Sequence, residues 1–148
     1  MDAEVVTQIR KLSQVYAYTS IQMHEAIGRK AGLSGTDHKY LGFLLQQGEM
    51  TAGELASLSG LTTGAVTGLI DRLEKKKLVK RQFAADDRRK VMIVPDTKKI
   101  MALLEPLYRE FRSQSAQLIA SFSGKELKVL EKYFSKAIDI MNETTNKL

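Results

Sequence analysis

The sequence contains no cysteine, which excludes thiol redox sensing and any cysteine-ligated metal site. Zero cysteines fit a cytoplasmic chain. No apolar run approaches the roughly 18 to 20 residues that a membrane span needs. The opening MDAEVVTQIRKL carries acidic residues where a signal peptide would have a basic region and an apolar stretch. Neither low-complexity tracts nor internal repeats nor a flexible linker interrupt the chain. Gly-rich phosphate loops and paired-carboxylate motifs are also missing, and only two histidines are present, so no catalytic constellation can be assembled and an enzyme is not expected. His24 and His38 without cysteine make no metal site, and no cofactor is expected.

What is present is ordinary in amount and unusual in placement. Apolar residues are 43% and charged residues 27% of the 148, which sets disorder aside and suits one domain, or one domain with helical extensions. The net charge is +6, and residues 62–99 hold 11 Lys/Arg against 5 Asp/Glu while the remaining positions balance at 12 against 12. The whole basic excess therefore lies in one segment. A basic stretch can be a solvated face or a nucleic-acid footprint, and the organisation of the segment has to decide.

Apolar residues at Val5, Ile9, Leu12, Tyr16, Met23 and Ile27 keep helical spacing and predict one long helix ending near Gly28 to Gly32. A second helix is expected from Ser34–Thr36 to Gly48, with Leu41, Leu44 and Leu45 inward, followed by a loop, QGEM. Thr51 and Glu54 form a capping-box pattern that starts a short helix ending at Gly60. Thr62 caps the next helix, which runs through Lys76 with Val66, Leu69, Ile70 and Leu73 on its inner face. Two short helices joined by a tight glycine turn read as a helix-turn-helix. LVKRQF, AADDRR and KVMIV then predict a two-stranded hairpin with a charged tip, closed by Pro95. From about Asp96 the spacing of Ile100, Leu103, Leu104, Leu107, Tyr108, Phe111, Leu118, Ile119 and Phe122 gives a long amphipathic helix with Pro106 as a candidate kink. After Ser123-Gly124, a last helix carries Leu127, Leu130, Phe134, Ile138 and Met141 on one face. The expected fold is mainly α with a small β-hairpin wing: an N-terminal helix (1–34), a winged helix-turn-helix lobe (35–97) and C-terminal helices (98–148). The apolar stripes of the terminal helices either fold back on their own domain or pack on a second copy as a homodimer.

At about 100° per residue, the fourth helix puts Gly64, Gly68, Asp71 and Lys75 opposite its apolar line, with Thr67 and Arg72 on the flanks. Each glycine costs about 1 kcal/mol relative to alanine in a helix. Close approach to the floor of a DNA major groove would justify them, as would tight packing on a neighbour. Thr62, Thr63, Ala65 and Thr67 are then the side chains near base edges or phosphates. Arg72 can pair with Asp71 or Asp87, or can contact a phosphate or guanine. Lys75 to Lys77 add general attraction. In the tip Asp86-Asp87-Arg88-Arg89-Lys90, acids can brace the arginines while one of them enters a minor groove. A winged-helix module using the same face for a protein partner is the alternative.

The segment 61–94, with its VTGLIDRLEKKKLVKR run and DDRR wing, resembles the recognition helix and wing of the multiple antibiotic resistance regulator (MarR) family, and the flanking helices extend the resemblance over nearly the whole chain. It implies a sequence-specific regulator of transcription, a repressor, acting as a homodimer on double-stranded DNA with a palindromic operator. By position, Thr51 falls at the start of the first motif helix, Thr62–Lys76 on the recognition helix, and Asp87 and Arg89 on the D-x-R pattern of the wing, with Arg89 its minor-groove residue. Lys77 stands where the family usually has glycine, and Val94-Pro95-Asp96-Thr97 replaces a usual Leu-Thr helix start. Family members often bind a small aromatic or anionic effector. Tyr18, His24, His38, Phe43, Tyr108 and Arg112 are candidates for contacting one, each with ordinary packing as the alternative.

Overall fold

A computed structural model describes residues 2–148. The elements are α1 (Ala3–Lys30), α2 (Gly35–Gln47), β1 (Met50–Thr51), α3 (Ala52–Ser59), α4 (Thr63–Lys75), β2 (Val79–Phe83), β3 (Val91–Pro95), α5 (Thr97–Ala120) and α6 (Gly124–Asn146). By compactness the chain divides into one unit ending at Leu107 and a second, Tyr108–Leu148.

Side-chain caps set most helix starts. Ser34, Thr51, Thr62 and Ser123 accept from the backbone N–H of Asp37, Glu54, Ala65 and Glu126, three residues on in each case. Each satisfies an amide that has no partner inside its helix. The hydroxyl half of the box expected at Thr51 is in place, and a full reciprocal box forms at Ser123 and Glu126. Asp96 does the same for α5, accepting from Lys99 N–H at 3.1 Å, so the Pro-Asp sequence supplies its own helix start in place of Leu-Thr.

Gly60 takes the left-handed conformation after α3 (φ 74°). Lys77 does so after α4 (φ 61°), the one non-glycine residue at positive φ among those described. Its N–H donates to Glu74 O and that of Leu78 to Leu73 O, so the helix closes with the bonds that a glycine would have allowed, on a residue whose Cβ resists them.

The sheet is antiparallel with order β1-β3-β2. β1 corrects the expectation of a plain two-stranded hairpin and of a loop through Met50. Met50 pairs with Ile93 and Thr51 with Met92, a two-residue strand too short to leave an alternating pattern in sequence. Pro95, with no N–H to give, is the last residue of β3.

The core of the first unit joins Leu41 and Leu44 of α2, Leu55 of α3, Val66, Leu69, Ile70 and Leu73 of α4, Ile93 of β3 and Ile100 of α5, all essentially inaccessible. At about 25 cal/mol per Å² of apolar surface, each such side chain contributes on the order of 2 kcal/mol. The inner face of α4 is thereby fixed and its other face turned outward. In contrast, α1 exposes Val5, Ile9, Leu12, Val15 and Ile21, and the second unit exposes Phe111, Leu118, Ile119, Val129, Phe134, Ile138 and Met141.

Candidate nucleic-acid interface

Along α4, Thr63, Gly64, Ala65, Thr67, Asp71 and Lys75 are exposed. A Cβ added at Gly64 would meet nothing within 4 Å, so that stretch of backbone stands open. Gly68 differs from the expected shared line: it is half-buried, and a Cβ there would lie 3.3 Å from Arg72 Nη1. Its small size makes room for the arginine four residues on. Thr62 Oγ1 accepts from Ala65 N–H at 3.2 Å, which leaves its own hydroxyl proton for an external acceptor such as a phosphate oxygen. Thr67 is exposed and its Oγ1 donates to Thr63 O at 3.0 Å, so its oxygen is left to accept from a base amino group. Thr51 is half-buried at the head of α3, its backbone in the sheet and its hydroxyl on Glu54 N–H.

Arg72 does not pair with Asp71 or Asp87. Its partner is Asp37 of α2, reached by Nε at 3.2 and 3.0 Å and by Nη2 at 2.8 Å. These bonds raise the pKa of Arg72 above its ordinary value, against an opposing effect of burial. Asp71 instead receives Nη2 of Arg81 at 2.7 Å, while Glu74 receives Nη1 at 2.7 Å and the Arg81 N–H at 3.2 Å. Both arginines thus have carboxylate partners within the lobe. Lys75, Lys77, Lys80, Arg88, Arg89 and Lys90 present their charge at the surface.

At the hairpin tip Asp87 Oδ1 accepts from Arg89 N–H at 2.9 Å and from Arg89 Nε at 3.2 Å, and these bonds hold the Asp87 carboxyl below the usual range. The Arg89 side chain is 91% exposed, and Asp87 holds it by the backbone N–H and by the Nε edge of the guanidinium. Arg88 is exposed beside it.

The effector candidates are divided between the two units. In the first, Tyr18 and His24 are exposed, Phe43 is half-buried and His38 is buried. The structure brings two of these together: the rings of His24 and His38 stack at 6.1 Å. Burial, and secondarily His24, lowers the His38 pKa. In the second unit the Arg112 guanidinium lies 5.6 Å from the Tyr108 ring centre, and burial raises the Tyr108 pKa against the pull of Arg112. An open cleft of about 550 Å³ lies elsewhere in the first unit, lined by Glu74, Lys77, Val79, Lys80, Val94, Pro95, Asp96 and Thr97, none of them an effector candidate from sequence. Among the described residues no three His, Asp or Glu side chains are grouped to hold a metal ion, and no helix is long and apolar enough to cross a membrane.

Two residues escaped the sequence reading. Asp37 lies 35 positions before Arg72, and Arg81 lies on the next element after the acids that it grips. Only a tertiary arrangement reveals such pairs; the nearest local signal was the concentration of unlike charges on one helix and the strand after it.

Residues 31–90 match the sequence model of the MarR family. The chain is 38% identical over 129 residues, 87% of its length and 83% of the other's, to the HTH-type transcriptional regulator YcgE of Bacillus subtilis (strain 168), itself uncharacterised. In structure it is similar to a MarR family protein from Bacillus stearothermophilus, with TM-score 0.72 and 25% identity over 96% of this chain and 99% of that one. It also resembles a point mutant of S. aureus MepR determined bound to an oligodeoxyribonucleotide, with TM-score 0.59 and 23% identity over 90% and 97% of the two chains.

Proposed function

Because the chain belongs to the MarR family, and is a winged-helix transcription regulator rather than an enzyme, we propose that it is a ligand-responsive repressor that binds a palindromic operator as a homodimer. The carrying observation is the pairing, on one lobe, of an α4 surface open at Gly64 with a wing whose Arg89 is held by Asp87 yet 91% exposed. In this reading the lobe, residues 35–97, docks α4 in the major groove. The bare backbone at Gly64 lets Thr62, Thr63, Ala65 and Thr67 approach base edges and phosphates, with Thr51 at the head of α3 and Lys75 at the backbone. Arg89 enters the flanking minor groove, with Arg88 on a phosphate and Asp87 holding the turn. The DNA-bound MepR mutant, similar in fold, supports this mode of use.

Dimerisation is supported by the exposed apolar residues of residues 1–34 and 98–148, which one copy leaves in water. A C2 pair would then present two α4 helices to half-sites about one DNA turn apart. The effector, a small aromatic or anionic molecule, would meet some of Tyr18, His24, His38, Phe43, Tyr108 and Arg112. Arg89→Ala tests the wing assignment in a mobility-shift titration: affinity should fall by about tenfold, the loss of one good contact. Undiminished binding would remove Arg89 from the interface.

A further inference from the structure

A recognition helix works through its pose, since base-edge hydrogen bonds form only when the donor atoms arrive within a fraction of an ångström. The close-packed apolar face of α4 seats it on the lobe along its length, and hydrogen bonds of fixed geometry add a finer constraint on its pose. These directional contacts gather on the C-terminal half. Arg72 lays its fork against the Asp37 carboxylate through Nε and Nη2, at 2.8 to 3.2 Å. Asp37 is 2% exposed, and its own N–H is tied to Ser34 Oγ at 3.1 Å, so the carboxylate sits at a fixed place in the first turn of α2. At the C-cap that follows α4, Lys76 Nζ donates to Gly32 O at 3.1 Å, at the corner between α1 and α2. On the β2 side, Arg81 holds Asp71 and Glu74.

Arg72 cannot serve both Asp37 and a phosphate with the same edge. Turning it outward would leave a buried carboxylate without its partner, which is strongly unfavourable. We propose that Asp37, acting through Arg72, is a positioning residue for DNA recognition: the pair is a strut that fixes the roll of α4 on the lobe, and Gly68 leaves the strut its path. The proposal rests on the DNA reading of α4 given above and deepens it.

Arg72→Lys and Asp37→Asn separate the strut from a direct DNA contact, read on a duplex selected by the wild-type chain from a random library and on poly(dI-dC). Lysine keeps a charge against Asp37 and can meet a phosphate, but lacks the planar fork. Each variant should lose about tenfold on the selected duplex, the size of a lost base contact, and little on poly(dI-dC). The salt slope should stay at the wild-type value, and α4 amides of the free variants should exchange faster than wild type. Arg72→Lys binding the selected duplex like wild type would overturn the strut. So would Asp37→Asn with unchanged affinity and unchanged α4 exchange, because a released Arg72 would then be contacting DNA. A wild-type chain that selects no duplex sinks the DNA reading and this proposal together, whereas wild-type selection with an unaffected Asp37→Asn sinks the proposal alone.

Discussion

At the scale of single residues, Lys77 is the clearest case of local conformation at odds with residue type. It ends α4 at φ 61°, where an L side chain is disfavoured, so Lys77→Gly should stabilise the fold by about 1 kcal/mol. Chemical denaturation reads this directly, and an unchanged midpoint would mean that the Lys77 side chain makes a compensating contact. His38 gives a pH dependence with a definite sign. Its pKa in the fold lies below the ordinary 6.5, by burial and then by His24, so on acidification the unfolded chain takes up the proton first. The stability that neutral His38 contributes is fully present above pH 6.5 and is lost as pH falls through the lowered folded value. His38→Gln should flatten the part of the stability profile that falls as the pH drops below 6.5; an identical slope would assign the effect to other groups. Residues whose partners are three or four positions away were legible in sequence, as Thr51, Thr62 and Gly60 illustrate, because capping is a local event. Asp37 was not, since nothing near it in the chain points to Arg72.

At the scale of elements, helical periodicity placed the long helices, because each buries or exposes a whole face; the capping pattern at Thr51 and Gly60 placed the short α3, and runs rich in Val, Ile and Phe around a polar tip placed the hairpin. β1 was invisible: its two residues carry no alternation, and it is defined only by the partners that β3 offers. Within α4, periodicity put Gly64 and Gly68 on one exposed line, and the structure separates them, since a side chain from the same helix lies over the second. This separation gives Gly64→Ala a two-sided outcome. Its added methyl meets nothing in the free protein, so helix propensity should stabilise α4 by about 1 kcal/mol. The same methyl would hold the helix off the groove floor, and affinity for a selected duplex should drop by about tenfold. Paired thermal melts and DNA titrations test both halves; a gain in both would show that the bare backbone at Gly64 does not face DNA.

At the scale of the whole molecule, the proposed homodimer would cover apolar residues of α1, α5 and α6 that one copy exposes. Ile138→Glu and Met141→Glu change residues that are half or more exposed in one chain, so they should leave the monomer folded yet shift sedimentation from dimer to monomer. Operator affinity should fall with the dimer, since one lobe makes only half the contacts. A dimer that persists in the double variant would place the interface elsewhere.

Whether the α4 and wing face reads DNA is tested by a salt titration of wild-type binding to genomic fragments that the protein itself selects. The selected fragments should be enriched in two-fold sequences with half-sites about one helical turn apart. Affinity should fall steeply with salt, its logarithm linear in the logarithm of salt concentration, and scrambled duplexes should be held much more weakly. No enrichment, together with no salt-dependent DNA affinity, would mean that this face does not read DNA and turn it toward a protein partner.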